Sequence, residues 1–347
     1  MSSNVVKGNQ SNSPIIIWLI MVCSMVVLMI VVGGITRLTG SGLSMVDWRP
    51  IMGVLPPISE VEWNTVFLAY QQFPEYQQIN KNITLEEFKG IFYWEYGHRV
   101  LGRLIGLVFF LPFLAFVVMG KVRGSLAIKL SIGLVLGGLQ GLMGWYMVKS
   151  GLVDRPSVSQ YRLTAHLGVA VAIYALMTWL VLRVRTGLQP ALKEVNVAGW
   201  VLVLGVYTLI LSGGFMAGTD AGFAYPTWPM MGETFVPMGY YAEGWQATFE
   251  GVATIHFNHR MLAYAVALLV LFLGVQSLRT SDDTRVRRGA GLMLLALSFQ
   301  LVLGIGTVLT QVSIPMAATH QVGAVLLLTA VLYWIHAQTD QKLVLSV

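Results

Sequence analysis

Apolar runs of about 20 residues recur along the chain, and polar segments separate them. A run of this length lets one α-helix cross the hydrocarbon core of a bilayer, whereas the strands of a membrane barrel would show short segments of alternating polarity. The pattern therefore predicts an all-α integral membrane protein with eight transmembrane helices. The predicted spans are residues 15–35, 98–119, 126–148, 162–184, 197–216, 257–278, 288–310 and 317–338.

The composition agrees with insertion into a membrane. Hydrophobic residues make up 56% of the 347 residues and charged residues only 11%, against about 25% charged residues in an ordinary soluble domain. The single cysteine, Cys23, excludes an internal disulfide bond and any multi-cysteine metal or iron–sulfur site. The net charge of +6 does not indicate a nucleic-acid partner, and its distribution is more informative because it reports topology.

Lysine and arginine are concentrated in every second connection between the predicted spans. Segment 217–256 contains neither residue and segment 36–97 is net acidic, while only 149–161 is ambiguous. Because positively charged connections stay in the cytoplasm, both termini are predicted to be cytoplasmic and the two long loops to lie outside. The basic residues that set this orientation are Lys121, Arg123, Arg183, Arg185, Lys193, Arg279, Arg285, Arg287 and Arg288.

Three segments recur in the same order in the two halves of the chain. GGITRLTGSGLSMVDWRPIMG begins at Gly33 and GGFMAGTDAGFAYPTWPMMG begins at Gly213, with Trp48 and Trp228 at the same offset. GHRVLGRLIGLV matches NHRMLAYAVALL, and TAHLGVA matches ATHQVGA. This order predicts two pseudo-symmetric four-helix bundles related by an axis along the membrane normal. The predicted division is an N-terminal cytoplasmic tail at 1–14, a first repeat at 15–184, a cytoplasmic linker at 185–196, a second repeat at 197–338 and a C-terminal tail at 339–347.

Four of the six histidines begin even-numbered predicted spans, which puts them at one depth near the outer face. They are His98, His166, His259 and His320. A single histidine at a helix end is often an interfacial side chain, but an ionisable group at membrane depth is costly and indicates function. Two facing imidazoles on bundle helices suit the axial positions of a haem iron. A proton or ion pathway and a structural role are the alternatives, and zinc is less suitable because a structural zinc site takes four ligands.

Two residues lie three positions before a histidine of this set. Glu95 precedes His98, and His256 precedes His259. This spacing puts each pair on one helix face if the helix extends that far; otherwise we expect His256 to be a loop residue.

The motifs FYWEYGHRVLGR, GLMGWYMVKSGL, VSQYRLTAHL and FNHRMLAY, together with the loop GGITRLTGSGLSMVDWRPIMGVLPP, resemble the haem A synthase family in its proteobacterial and mitochondrial branch. The resemblance extends from about residue 15 to residue 338. It implies an oxidoreductase of two pseudo-symmetric bundles that oxidises a ring methyl of haem O to a formyl group. Water would donate the oxygen, an external acceptor would take the electrons, and the product would be haem A for terminal oxidases.

The same resemblance implies roles for individual residues of these motifs. His259 and His320 would ligate the iron of a resident haem b, and His98 and His166 would contact the substrate haem. Glu95 would be catalytic, by stabilising positive charge at the macrocycle edge or by taking a proton. A simpler alternative is that its carboxylate hydrogen-bonds the imidazole of His98.

Four arginines lie near the same predicted depth, where they could orient haem propionates through bidentate pairing or extend toward the membrane surface. They are Arg99, Arg103, Arg162 and Arg260. Some members of the resembling family carry a cysteine pair in the first outer loop. Residues 36–97 contain no cysteine here, which excludes a thiol relay in that loop.

The expected setting is the inner membrane of a bacterium, with the haem sites near the periplasmic face. The expected partners are haem O, the haem O synthase that supplies it and the lipid bilayer, and homo-oligomer formation is left open. A di-haem b-type cytochrome that only transfers electrons, for instance from quinol, is the main alternative. Its two haems would usually lie at opposite membrane faces, unlike these histidines. A transporter with a histidine proton relay is a third class.

Overall fold

The computed structural model describes residues 13–46, 55–151, 157–187 and 197–345. Eight of its helices are long and apolar enough to cross a membrane, which confirms the prediction of an all-α, multi-span membrane protein. The helices are α1 Ser13–Leu38, α2 Leu85–Val118, α3 Gly124–Gly151, α4 Gln160–Thr186, α5 Val197–Gly218, α6 Val252–Thr280, α7 Thr284–Leu309 and α8 Ile314–Leu345. Trp48, residues 1–12 of the N-terminal tail and most of the 185–196 linker lie outside the described residues. The two-repeat division and the cytoplasmic termini stay predictions.

Helix α2 begins at Leu85, much earlier than the predicted start at residue 98. Thr84 and Glu87 form a capping box: the Thr84 side chain accepts a hydrogen bond from the Glu87 amide, and the Glu87 carboxylate accepts one from the Thr84 amide at 2.7 Å. Such a box starts a helix whether or not an apolar run follows, so hydropathy alone misses this boundary. His98 therefore lies more than three turns inside the helix, and the prediction that it begins the span is wrong.

Residues 55–84, the pre-α2 segment, are partly helical, although the hydrophobic pattern predicted a loop. Short helices span Glu60–Tyr70 and Pro74–Gln78. Their aromatic side chains pack on the first turns of α2, with the ring centroids of Trp63 and Phe92 5.0 Å apart in an edge-to-face arrangement. Such aromatic pairs contribute about 0.5–1.5 kcal/mol each beyond the area they bury. This small aromatic core packs the pre-α2 segment on the part of α2 that carries Glu95.

The connection between α5 and α6 consists of short turns. It contains 3₁₀ turns at Ala221–Phe223 and Gly244–Gln246 and a helix at Ala247–Glu250. Helix α6 begins at Val252, so His256 lies within its first two turns, and the alternative expectation that His256 is a loop residue is wrong.

The chain forms two compact units, Leu28–Ala170 and Met1–Val27 together with Val171–Val347. In the second unit, α5, α6, α7 and α8 contact one another in a closed ring, α5 with α6, α6 with α7, α7 with α8 and α8 with α5. Small residues allow close approach at these contacts: a methyl group at Gly289 would come 2.9 Å from the Trp334 backbone. The indole of Trp334 also donates to Ser277 on α6 at 3.0 Å.

Candidate functional site

Each of the four predicted ligand histidines lies against a glycine on the preceding long helix. A methyl group placed on these glycines would come 2.9–3.6 Å from the imidazole ring. At Gly33, Gly144 and Gly304 this is closer than an ordinary contact, so an added Cβ would make the ring shift, whereas the 3.6 Å at Gly213 is an ordinary van der Waals contact. The four pairs are Gly33 with His98, Gly144 with His166, Gly213 with His259 and Gly304 with His320.

The histidines are also associated in two pairs. In one unit, the imidazoles of His98 and His166 are close enough for a charge on one ring to act on the other. In the other unit, the same holds for His259 and His320. All four side chains are half-buried on apolar helices. The structure thus brings together within each half the two histidines that the sequence predicted to face each other.

The surroundings of the ring nitrogens decide whether these histidines can bind a haem iron. Nδ1 of His166 and Nδ1 of His320 are buried without a hydrogen-bond partner among the described residues, as expected for rings whose polar contacts include a group beyond the protein. Nδ1 of His259 lies 2.7 Å from Oγ of Ser212, which leaves its Nε2 for a metal. The described residues contain no group of three or more His, Cys, Asp or Glu that could hold a metal ion. A haem iron with two axial imidazoles needs only a pair, and the donor atoms of His259 and His320 fit it.

Glu95 is buried and all of its carboxylate hydrogen bonds run to the loop after α1 and to the next turn of α2. Oε2 accepts from Oγ of Ser44 and from the amide of Met45, both at 2.8 Å. Oε1 accepts from Nε of Arg99 at 3.1 Å and from Nη2 of the same side chain. The alternative expectation that Glu95 hydrogen-bonds the imidazole of His98 is therefore wrong.

Arg99, which follows His98, and Arg260, which follows His259, each bind backbone carbonyls of the loop that precedes their helix. Nη2 of Arg99 donates to the Met45 carbonyl at 2.9 Å. Nη2 of Arg260 donates to the Tyr225 carbonyl at 3.0 Å, and its Nη1 donates to the Met230 carbonyl at 3.3 Å. Met45 and Tyr225 are separated by the same offset as Gly33 and Gly213, so one contact occurs at equivalent sequence positions in both halves.

Arg103 and Arg162 are placed differently from these two arginines. Arg103 is half-buried on α2, one turn beyond Arg99. The guanidinium of Arg162 lies over the ring of Tyr146, 4.6 Å from its centroid. Binding of propionates by any of the four arginines stays a prediction.

His256 occupies in the second half the place that Glu95 occupies in the first, and it is fully buried. Its ring packs edge-to-face on Tyr225, with centroids 5.8 Å apart. The loop contact is thus kept in the second half, whereas the carboxylate–guanidinium pair is made only in the first.

Sequence reasoning did not single out Gly33, Gly213, Gly304 or Ser212 as contacts of the histidines. A signal was present for two of them, because Gly33 and Gly213 open the loop segments that recur in the two halves. No sequence signal connects Ser212 with His259, since the contact depends on how α5 and α6 are rotated against each other.

Comparison with known proteins gives consistent matches over nearly the whole chain. The model of the COX15-CtaA family, described as "Cytochrome oxidase assembly protein", matches residues 16–332. A protein of Nitrosomonas eutropha named "Heme A synthase" is 45% identical over 335 residues, which is 94% of each chain. Proteins with the same name from Nitrosospira multiformis and Parvibaculum lavamentivorans are 47% and 42% identical, over 93% and 95% of this chain and 93% and 96% of their own.

Proposed function

The chain belongs to the COX15-CtaA family of cytochrome oxidase assembly proteins, and we propose that it converts haem O to haem A. One ring methyl of the substrate is oxidised to a formyl group. Water supplies the oxygen atom, and four electrons and four protons leave for each methyl converted. The electrons pass to an external acceptor.

The observation that carries this proposal is the pair of imidazoles in each half, each ring lying against a helix glycine. Two such pairs fit one resident haem and one substrate haem. The full-length similarity to relatives named "Heme A synthase" supports the same assignment.

In the second half, His259 and His320 hold the iron of haem b. A bis-imidazole haem supplies one-electron transfer when bound. The hydroxyl of Ser212 keeps the His259 ring in place, and Arg260 holds the loop that precedes α6.

In the first half, His98 and His166 hold and orient the substrate haem. Glu95 lies one helical turn before His98 and carries four hydrogen bonds from Ser44, Met45 and Arg99. Both carboxylate oxygens are held by these donors, and Oε1 is paired with the Arg99 guanidinium, so we assign the group the stabilisation of positive charge developing on the substrate rather than the removal of a proton. A fixed charge of this kind needs no reorganisation during the reaction.

The four arginines are proposed to orient propionates at the same level. Of these four, Arg99 and Arg260 also bind backbone carbonyls. The haem sites are proposed to lie near the periplasmic face of a bacterial inner membrane, and haem O synthase is the proposed source of the substrate. A di-haem cytochrome without haem-modifying activity is not favoured, since the relatives reported above are named for the synthase activity.

The test is extraction of haem from protein co-expressed with a haem O source. We expect haem B with haem O or haem A from the unchanged chain, and loss of haem B from the His259→Ala and His320→Ala variants. His336→Gln is a matched control on α8, because His336 is buried against Trp179 rather than against a helix glycine. Haem B alone from the unchanged chain, or a retained bis-imidazole spectrum in both alanine variants, would overturn the proposal.

A further inference from the structure

The Ser212 hydroxyl contacts both the His259 imidazole and a carbonyl of its own helix. This hydroxyl donates to the Leu209 carbonyl at 2.8 Å, so its oxygen is available as the acceptor for Nδ1 of His259 at 2.7 Å. The imidazole therefore carries its proton on Nδ1 and presents the lone pair of Nε2. Metal-ligating histidines are commonly fixed in this way by an acceptor at the other ring nitrogen.

The equivalent position in the first half is Val32, which precedes Gly33 as Ser212 precedes Gly213. Valine offers no acceptor. The two rings are also turned differently against their glycines. A methyl group at Gly33 would come 3.1 Å from Nε2 of His98, whereas one at Gly213 would come 3.6 Å from Cε1 of His259.

We propose that Ser212 is a positioning residue that makes His259 a permanent haem ligand, and that Val32 leaves His98 free to exchange its haem. This inference rests on the proposed function, in which one half retains a cofactor and the other binds substrate and releases product. A hydrogen bond at Nδ1 orients the ring and raises the basicity of Nε2, and both effects strengthen its bond to iron. The serine–valine difference thus contributes to deciding which half holds its haem and which half turns it over.

The first arm of the test replaces the serine. Ser212→Val should weaken retention of the resident haem by about 10- to 100-fold, the usual effect of removing such a partner. It should also change the electron paramagnetic resonance g-values and raise the midpoint potential of that haem, because a less basic imidazole favours the ferric state less. Ser212→Thr keeps a hydroxyl and should restore both properties. Ser298→Val is the matched control, because the Ser298 hydroxyl on α7 donates to the Leu294 carbonyl and lies exposed.

The second arm introduces the hydroxyl into the first half. Val32→Ser places a hydroxyl beside the His98 ring, which must turn over so that Nδ1 rather than Nε2 meets it. The substitution should then increase the haem that copurifies with the protein and lower both kcat and the KM for haem O, because product leaves more slowly. Val31→Ser adds the same group one residue earlier on α1, at a position turned away by about 100°, and should change neither parameter. A gain of retention cannot be explained by general destabilisation, so this arm stays informative if Ser212→Val folds poorly.

The outcomes separate this inference from the proposed function. Unchanged g-values and potential in Ser212→Val, or unchanged haem content in Val32→Ser, would overturn the inference while the ligands remain as assigned. Retention of the resident haem by His259→Ala would instead overturn the ligand assignment itself, whatever the serine variants do.

Discussion

Replacement of Gly304 by alanine is the sharpest test of the way the histidines are seated. A methyl group there would lie 2.9 Å from Cε1 of His320, 3.5 Å from Nδ1 and 3.7 Å from Nε2. Ordinary contacts of this kind begin at 3.4 Å, so the ring must move by about 0.5 Å or turn. Ligand geometry has to be held within about 0.5 Å to remain productive, and the substitution therefore reaches that limit.

The magnitude follows from two opposing effects. Overpacking of this kind costs about 1–3 kcal/mol, whereas exchanging glycine for alanine inside a helix stabilises it by up to about 1 kcal/mol. The apoprotein should therefore lose little stability. The haem complex, which needs the ring in place, should bind about 5- to 150-fold more weakly, the equivalent of about 1–3 kcal/mol.

The assay is haem content per protein and thermal unfolding in detergent, measured on a graded series. The clearance shrinks from 3.6 Å at Gly213 to 3.2 Å at Gly144 and 2.9 Å at Gly304, so the damage from alanine should increase in that order. Gly291→Ala is the control on the same helix as Gly304, because nothing lies within 4 Å of its added methyl group. Equal haem retention by Gly304→Ala and Gly291→Ala would refute the reasoning, as would greater damage at Gly213 than at Gly304.

Two further predictions concern carboxylates of the first half. Burial raises the pKa of Glu75 from 4.5 to about 7, while the hydroxyl of Tyr70, 3.1 Å away, lowers it in part and the charge of Glu95 raises it further. Because the pKa is higher in the folded state, the stabilisation is complete below pH 4.5 and is lost as the pH rises through about 7. The pre-α2 segment should lose about 3 kcal/mol of stability over that range. Thermal unfolding between pH 5 and 8 should show this loss in the unchanged chain and a flatter profile in Glu75→Gln; equal slopes would contradict it. Glu95→Gln should abolish haem A formation and retain the resident haem, at a cost of roughly 3–5 kcal/mol for leaving Arg99 with an uncompensated buried charge. Extraction of both haems measures this, and a normal haem A yield would reduce Glu95 to a loop anchor.

The repeated loop contact explains why the dipeptide His-Arg occurs in both halves. The histidine faces the neighbouring helix glycine, and the arginine, pointing to another side of the same helix, reaches the backbone of the loop. In the first half Glu95 joins this arrangement and adds a buried charge pair, whereas His256 takes its place in the second half. The chemical difference between the halves is therefore added to a loop contact that both halves make.

The linear sequence by itself determined the membrane class, the eight spans and the histidines at corresponding places in the two halves. Hydrophobic length and residue spacing are local properties, and a bilayer makes them decisive because every spanning backbone must be helical or form a closed barrel. The sequence could also suggest that Glu95 and His98 share a helix face, since i,i+3 spacing fixes that once a helix exists.

Only the tertiary structure decided what these residues contact. Two partners of Glu95, Ser44 and Met45, lie about 50 positions away in the loop after α1, and the glycine that receives each imidazole lies on a separate helix. The hydrogen bond from His259 to Ser212 likewise joins two helices. Such contacts depend on the rotation and depth of one helix relative to another, which side-chain packing sets and which no periodicity along a single chain segment encodes.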